Sequence, residues 1–351
     1  MGRLGWSLRA LAAVALIASA SAWAEVAPLP ADKRSQMQAV AEDPAPKELL
    51  GITKGLHGKH YWTSNEWHLE LYAAHLTAVG GAYIGVGSDQ AYLLMGMARP
   101  EIAWLIDYDN DVVMLQRIYQ ALFAGSATRG EFVARWRKDN RATSRKLITE
   151  ALASRPDAKE HGRLFAMAAS RVEHRLLRVQ RTFAKAKVPC FLTDDATYTW
   201  VRDMGLAGRI QPLRADLLND GAIARIGAAT RAMGYTVRAL YLSNAEGYWQ
   251  YTPQFRKNMQ SLPIDDQGRL MRTIGAWNFN FDYVYHLMPL RSFVAWVSQS
   301  YVKDFRAMVH FKWPQPGQYY TVVSPPSEPK PPPPPRKLAA RKKAPAAQAT
   351  P

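Results

Sequence analysis

The sequence predicts an α/β fold in which a mainly parallel sheet carries helices on both faces. Short apolar runs recur along the chain, most of them closed by glycine or by an acid, and helix-compatible stretches separate them. Alternation of the two is the order of βαβ units. The first run, Ala82-Tyr83-Ile84-Gly85-Val86-Gly87, ends in glycines and leads into the helix-compatible residues 90–98. Beyond Arg99-Pro100, the run Ile102-Ala103-Trp104-Leu105-Ile106 is apolar throughout, as a strand buried on both faces must be, and it stops at Asp107-Tyr108-Asp109. After a long helical stretch the alternation resumes. Residues 209–215 form a strand-like run stopping at Asp216, residues 220–233 read as a helix closing at Gly234, and residues 237–242 form a run stopping at Ser243-Asn244. Residues 269–274 can form a further strand. Such an order gives a Rossmann-like sheet.

Ahead of the first strand, Thr63-Ser64-Asn65-Glu66 has the hydroxyl-to-carboxylate spacing of a capping box and predicts a helix running to about Val79. Between the second and third strands, residues 111–187 fit helices at 112–123, 129–137, 142–153 and 163–186. That is far longer than an ordinary crossover and reads as a helical insertion carried by the sheet. On its last helix Arg171, Arg175, Arg178 and Arg181 recur at helical spacing and are expected to form a solvated basic face.

The α/β domain is expected to occupy residues 47–324, with both ends of the chain lying outside it. Arg3 and Arg9, the apolar run 10–18 and the small-residue sequence Ala22-Trp23-Ala24 follow the order of a secretory signal peptide over residues 1–24. The expectation is cleavage after Ala24 and a periplasmic or secreted mature chain. The run is shorter than the roughly 20 residues a membrane-spanning helix needs, so no transmembrane segment is expected in the mature chain. Residues 25–46, rich in Ala, Pro and charge without periodicity, read as a mobile lead-in. Five consecutive prolines at 331–335 and a basic Ala-rich end make residues 325–351 a disordered tail.

The formal net charge is +16, and the tail contributes six Lys or Arg against Glu328. An anionic cell-envelope component is therefore an electrostatically easy partner for the tail. No base-reading module is visible, so a nucleic-acid partner is not expected. Cys190 is the only cysteine, which excludes an internal disulfide. Set between Pro189 and Phe191, it reads as a small buried hydrophobe.

In an open parallel sheet the ligand site lies beyond the carboxyl ends of the strands. Here those ends carry Gly85, Gly87, Asp107, Asp109, Asp216, Ser243 and Asn244. The two glycines allow a tight turn and close approach of a small-molecule ligand. Asp107 follows at the spacing at which a carboxylate can accept from ribose hydroxyls. Asn244 and Glu246 are the candidates to act on a bound substrate, Glu246 as a general base if burial raises its pKa. The aromatics of Gly247-Tyr248-Trp249-Gln250-Tyr251 can either overhang the cleft or close the core. His57, His60, His68 and His75 could bind zinc if brought together, but no acid or cysteine motif completes a ligand set and no metal site is expected. Serine-hydrolase elbows, phosphate-binding loops, zinc-protease motifs and paired cysteines are all missing from the sequence.

On these residues the core, roughly 82–274 without the insertion, resembles the class I S-adenosylmethionine-dependent methyltransferase fold. The resemblance implies S-adenosylmethionine as cofactor, with Gly85 and Gly87 as the first glycine motif and Asp107 as the ribose-binding acid. It further implies that Asp216 faces adenine and that Ser243 and Asn244 stand where substrate or catalytic groups sit. The chain departs from that pattern by lacking the opening acid and by placing Ser88-Asp89 after Gly87, which would set a carboxylate near the methionine part of the cofactor. The segments 83–90 and 241–246 also look like a family of exported bacterial proteins of unknown function. Three functions follow as expectations: an exported binder of a small ligand at the strand ends, an S-adenosylmethionine-dependent transferase, and a non-catalytic envelope scaffold. Amino-terminal sequencing of the protein recovered from an export-competent host should read from Glu25; a chain that retains Met1 would remove the signal-peptide reading.

Overall fold

A computed structural model describes residues 26–50, 54–277, 280–309, 315, 317–323 and 329. Seven strands form one sheet: β1 (Ala82–Val86), β2 (Ile102–Asp107), β3 (Ile210–Arg214), β4 (Val237–Tyr241), β5 (Ile264–Gly275), β6 (Tyr283–Pro289) and β7 (Tyr320–Val322). Their spatial order is β3-β2-β1-β4-β5-β6-β7. The first five strands run parallel, β6 returns antiparallel against β5, and β7 lies parallel to β6. This is the Rossmann-like α/β architecture expected from the sequence.

Period-two alternation splits each buried strand between two cores. Tyr83, Ala103, Leu105, Ala239 and Tyr241 face one, whereas Ala82, Ile84, Ile102, Trp104, Ile106 and Leu240 face the other. Because both of their faces are covered, β1 and β2 carry no charged side chain short of Asp107 at the tip of β2. The helices, in chain order, are α1 (Ala31–Gln38), α2 (Ala73–Leu76), α3 (Gln90–Ala98), α4 (Asn110–Ala124), α5 (Arg129–Arg135), α6 (Arg141–Ala151), α7 (Ala158–Ala186), α8 (Asp195–Leu206), α9 (Ala222–Ala232), α10 (Pro253–Ser261), α11 (Leu290–Val297) and α12 (Arg306–Val309). Buried residues of α2 to α8 belong to the first core, and those of α1 and α9 to α12 to the second. Among the described residues no helix is long and apolar enough to cross a membrane.

Four expectations change. Residues 26–46 pack on the domain instead of forming a mobile lead-in: Leu29 and Met37 are buried, and Leu29 donates its amide to the Ala207 carbonyl at 2.9 Å. The buried Asp43 carboxylate accepts from the amides of Asp216 (3.0 Å) and Ala222 (2.7 Å) and pairs with Arg225 (3.1 Å). These anchors are single residues or main-chain bonds, which leave no periodic trace in sequence. Residues 63–66 start no helix; a 3-10 turn at Leu69–Tyr72 and the one-turn α2 replace it, because Glu66 is drawn inward to hydroxyl donors instead of back onto the amides. The helical excursion between β2 and β3 runs from α4 through α8, past the expected end at 187, with α4 packed on the sheet itself. On α7, Arg171, Arg178 and Arg181 are exposed as expected, but Arg175 is buried.

Strands β6 and β7 extend the sheet beyond the runs read from sequence. The stretch read as a signal peptide and most of the stretch read as a tail lie outside the described residues. Asp43→Ala removes a carboxylate that satisfies two buried amides, so it should destabilise the domain by about 2–4 kcal/mol. Urea unfolding measures this, and a change within experimental error would mean that the Asp43 anchor contributes no stability.

Candidate functional site

A cavity of about 850 Å³ opens at the carboxyl ends of β1 to β5. Gly87, Asp107, Asp109, Asp216, Ser243, Asn244 and Glu246 all line it, so the candidates from the ends of four strands, β1 to β4, come together as expected. Gly85 does not. A Cβ there would lie 2.1 Å from the Tyr83 hydroxyl, two residues away on the same face, so this glycine makes room for a buried tyrosine rather than for a ligand.

At Gly87 the backbone is left-handed (φ +104°), and a Cβ would meet the Gln90 amide at 2.0 Å. Gln90 uses that space to turn back, its Oε1 accepting from the Ser88 amide at 2.9 Å. Gln116 donates to the carbonyls of Gly87 (2.6 Å) and Ser88 (2.9 Å). Asp89 is not in the cavity wall. Its carboxylate accepts from the Ser64 amide (2.8 Å) and pairs with Arg175 (2.8 Å), both partners being almost fully buried. The β1–α3 loop is thus satisfied by the chain's own side chains.

Asp107, at the tip of β2, accepts from the Asp109 amide at 2.9 Å. Burial pushes its carboxyl up to about 7, and the neighbouring Asp109 charge adds to the rise against the backbone donors. Asp109 caps α4 through the Asp111 amide (2.9 Å); burial raises its pKa while His60, 2.9 Å away, works against the rise. Asp216 is likewise raised by burial, with its Oδ1 held by the Leu218 amide at 2.8 Å. At the tip of β4, Ser243 is left-handed (φ +52°), and Asn244 donates to the Tyr283 hydroxyl at 3.2 Å. Glu246 is committed: it is 3 % exposed, ion-paired with Arg272 at 3.0 Å and bonded to the Tyr251 hydroxyl. Burial raises its pKa, the condition set for a general base, against the opposing pull of Arg272 and Tyr251; its Oε1 takes both hydrogen bonds, whereas Oε2 accepts none among the described residues.

The aromatic segment divides between its two readings. Tyr248 and Trp249 line the cavity, while Tyr251 stacks on Phe255 at 4.9 Å in the core. The histidines stay apart: His57 pairs with Glu48, His68 with Glu70, and His75 stacks on Tyr320. His60 instead meets Asp109 and Asp111, and the three ligand-type atoms lie within 4.8 Å of one another, a set that could hold a cation. The acids missing around His60 in sequence are supplied by the β2–α4 loop. Cys190 is buried, as read, and burial pushes its thiol pKa up.

The residue missed altogether is Glu66. Its Oε1 accepts from the Tyr241 hydroxyl, Ser243 Oγ (2.9 Å) and Thr273 Oγ1 (2.8 Å), and its Oε2 from Ser64 Oγ (2.6 Å). Ser64, Ser243 and Thr273 belong to the cavity wall. The Ser64-x-Glu66 pattern that marks it was read as a helix cap.

The raised pKa of Asp107 makes stability depend on pH. The folded state holds the proton up to about 7 and the unfolded chain only to near 3.8. The contribution is therefore full below pH 4 and lost as pH rises to about 7, at up to about 1.4 kcal/mol per unit. Asp107→Asn should flatten this slope and leave the variant more stable than wild type at pH 8. Denaturant unfolding at pH 5 and pH 8 tests both, and parallel pH profiles would show that Asp107 titrates as an ordinary surface acid.

No curated protein matches the chain. A family described as a domain of unknown function, DUF7790, matches residues 61–321. The match runs from the cavity wall ahead of β1 into β7 and includes every tip of β1 to β5 that bounds the site. The chain belongs to the DUF7790 family.

Proposed function

We propose that this chain is an exported protein that binds a small nucleoside-like molecule in the cavity at its strand ends. The observation that carries the reading is the convergence of Gly87, Asp107, Asp216, Ser243 and Asn244 on one cavity of a size typical for small-molecule sites. Asp107 offers a carboxylate at the tip of β2 to ligand hydroxyls. Tyr108, Tyr248, Trp249 and Trp277 offer aromatic faces to a planar group.

The same wall argues against a dinucleotide. A pyrophosphate in a Rossmann-like site sits on the amides ahead of the first crossover helix. Here the Ser88 amide is taken by Gln90, and the buried carboxylate of Asp89 stands beside it. Phosphate would have to displace one and face the other.

The second reading, an S-adenosylmethionine-dependent transferase, is favoured by the order β3-β2-β1-β4-β5 with an acid at the tip of β2. S-adenosylmethionine carries a nucleoside without phosphate, which suits this wall. Asp107 would hold its ribose, Asp216 would lie towards its base, and Asn244 remains as the group facing an acceptor. Export weighs against this reading, because the cofactor is made in the cytoplasm, and binding without group transfer is the simpler function.

Calorimetry with adenosine, S-adenosylmethionine, S-adenosylhomocysteine and NAD separates the possibilities. The adenosine compounds should bind, NAD should not, and Asp107→Ala should weaken binding by about tenfold or more, as expected for a lost charge-assisted hydrogen bond. Methyl transfer to an added amine or hydroxyl acceptor would establish the second reading. Silence from every adenosine compound at millimolar concentration would end the nucleoside proposal.

A further inference from the structure

Glu66 is 1 % exposed, yet among the described residues no Lys, Arg or His lies within ion-pair distance of its carboxylate. Arg175 comes nearest in role, donating to the Glu66 carbonyl oxygen at 2.6 Å, but its charge is matched by Asp89 at 2.8 Å. That guanidinium pairs with one carboxylate, Asp89, so the three groups together keep a net negative charge on the side of Glu66. A buried charge without a counter-ion is costly, so protein structures rarely leave one unless something else supplies the partner.

The hydroxyls around Glu66 carry that charge to the cavity. A carboxylate only accepts, so Ser64, Ser243 and Thr273 must each point their proton at it. All three line the cavity, and with their protons turned away they can present only lone pairs there, Ser64 just one of them because its Oγ also accepts from the Glu66 amide at 3.0 Å. Tyr283 sets a donor beside them, since it accepts from the amides of both Asn65 (2.9 Å) and Asn244 (3.2 Å) and keeps its own proton.

We propose that the ligand carries an ammonium group that docks on Ser64, Ser243 and Thr273 and supplies the counter-charge to Glu66. An ammonium brings donors and no acceptor, which matches three acceptor hydroxyls, and its positive charge meets the negative one lying a single hydroxyl behind them. A carboxylate or phosphate in the same place would face lone pairs and a like charge. Glu66 acts as a positioning residue: it does not touch the ligand but fixes which way the hydroxyls point. The inference rests on ligand binding at this cavity and does not require the ligand to be a nucleoside.

Two matched pairs of probes test it by calorimetry: 5′-amino-5′-deoxyadenosine against adenosine-5′-carboxylic acid, and tryptamine against indole-3-acetate. Within at least one pair the amine should bind about tenfold tighter or more. Glu66→Gln keeps the shape but adds an amide donor, which forces at least one hydroxyl to turn its proton outward. The preference for the amine should then fall towards parity, a ratio that a general loss of stability would not move. If Glu66→Gln does not fold, Thr273→Val, which deletes one acceptor, should weaken the amine member alone.

Equal or tighter binding of the acid in wild type, or a preference that survives Glu66→Gln, overturns the proposal. A preference seen only with the indole pair, the adenosine pair staying silent, would discard the nucleoside reading and keep this one. Adenosine binding without any amine preference would do the reverse. No binding by any probe would overturn both.

Discussion

A carboxylate cannot be buried in this fold without fixing everything around it, and the carboxylate of Glu66 ties three distant pieces of chain into one wall. Ser64 comes from the segment ahead of β1, Tyr241 and Ser243 from the end of β4, and Thr273 from β5. Ser243 adopts a left-handed backbone that costs a non-glycine residue about 1–2 kcal/mol. The Ser243 hydroxyl bond to Glu66, and the Thr273 amide bonded to the Ser243 carbonyl at 2.9 Å, offset that cost. The turn that aims β4 into the cavity thus depends on an acid far away in sequence.

The sheet was legible in the sequence because its signal is local. Ile102-Ala103-Trp104-Leu105-Ile106 is apolar without a break for the physical reason that both faces of β2 are covered, and Asp107 ends it where the chain leaves the core. The same locality located the cavity, since strand tips follow from strands. It failed at Gly85, where the glycine pattern that suggests ligand approach turned out to accommodate Tyr83. For Glu246 the position at the tip of β4 was legible, whereas its burial and its partners were not, because Arg272 lies on β5 and Tyr251 just ahead of α10.

What stayed hidden depends on pairing across long separations. Asp43 looked like one charge among many in a segment of Ala and Pro, and its hold on Asp216 and Ala222 exists only once the sheet has formed. Arg175 sat at the same helical spacing as Arg171 and Arg178 and looked equally solvated. Those neighbours lie over the rings of Trp62 and Trp67, at 5.2 and 5.4 Å, whereas Arg175 reaches inward to Asp89. Helical periodicity reports a face, and it cannot say which member of a basic face finds an acid beneath it.

That buried pair gives the helical insertion a role beyond bulk. Replacing a buried ion pair with apolar side chains is often neutral or stabilising, so the Arg175–Asp89 bond is weak as a source of stability. Its geometry is informative. Arg175 on α7 binds Asp89, which holds the β1–α3 loop, and binds the Glu66 carbonyl, which holds the hydroxyl wall. One guanidinium thus connects the insertion to two walls of the cavity, and the Arg272–Glu246 pair braces the β5 side in the same manner. Removing either arginine alone would leave a buried acid uncompensated and free the loop it anchors. The insertion therefore packs directly behind the cavity wall, because Arg175 supplies the cation that pairs with Asp89 of the β1–α3 loop, whose backbone is itself held by Gln90 and Gln116.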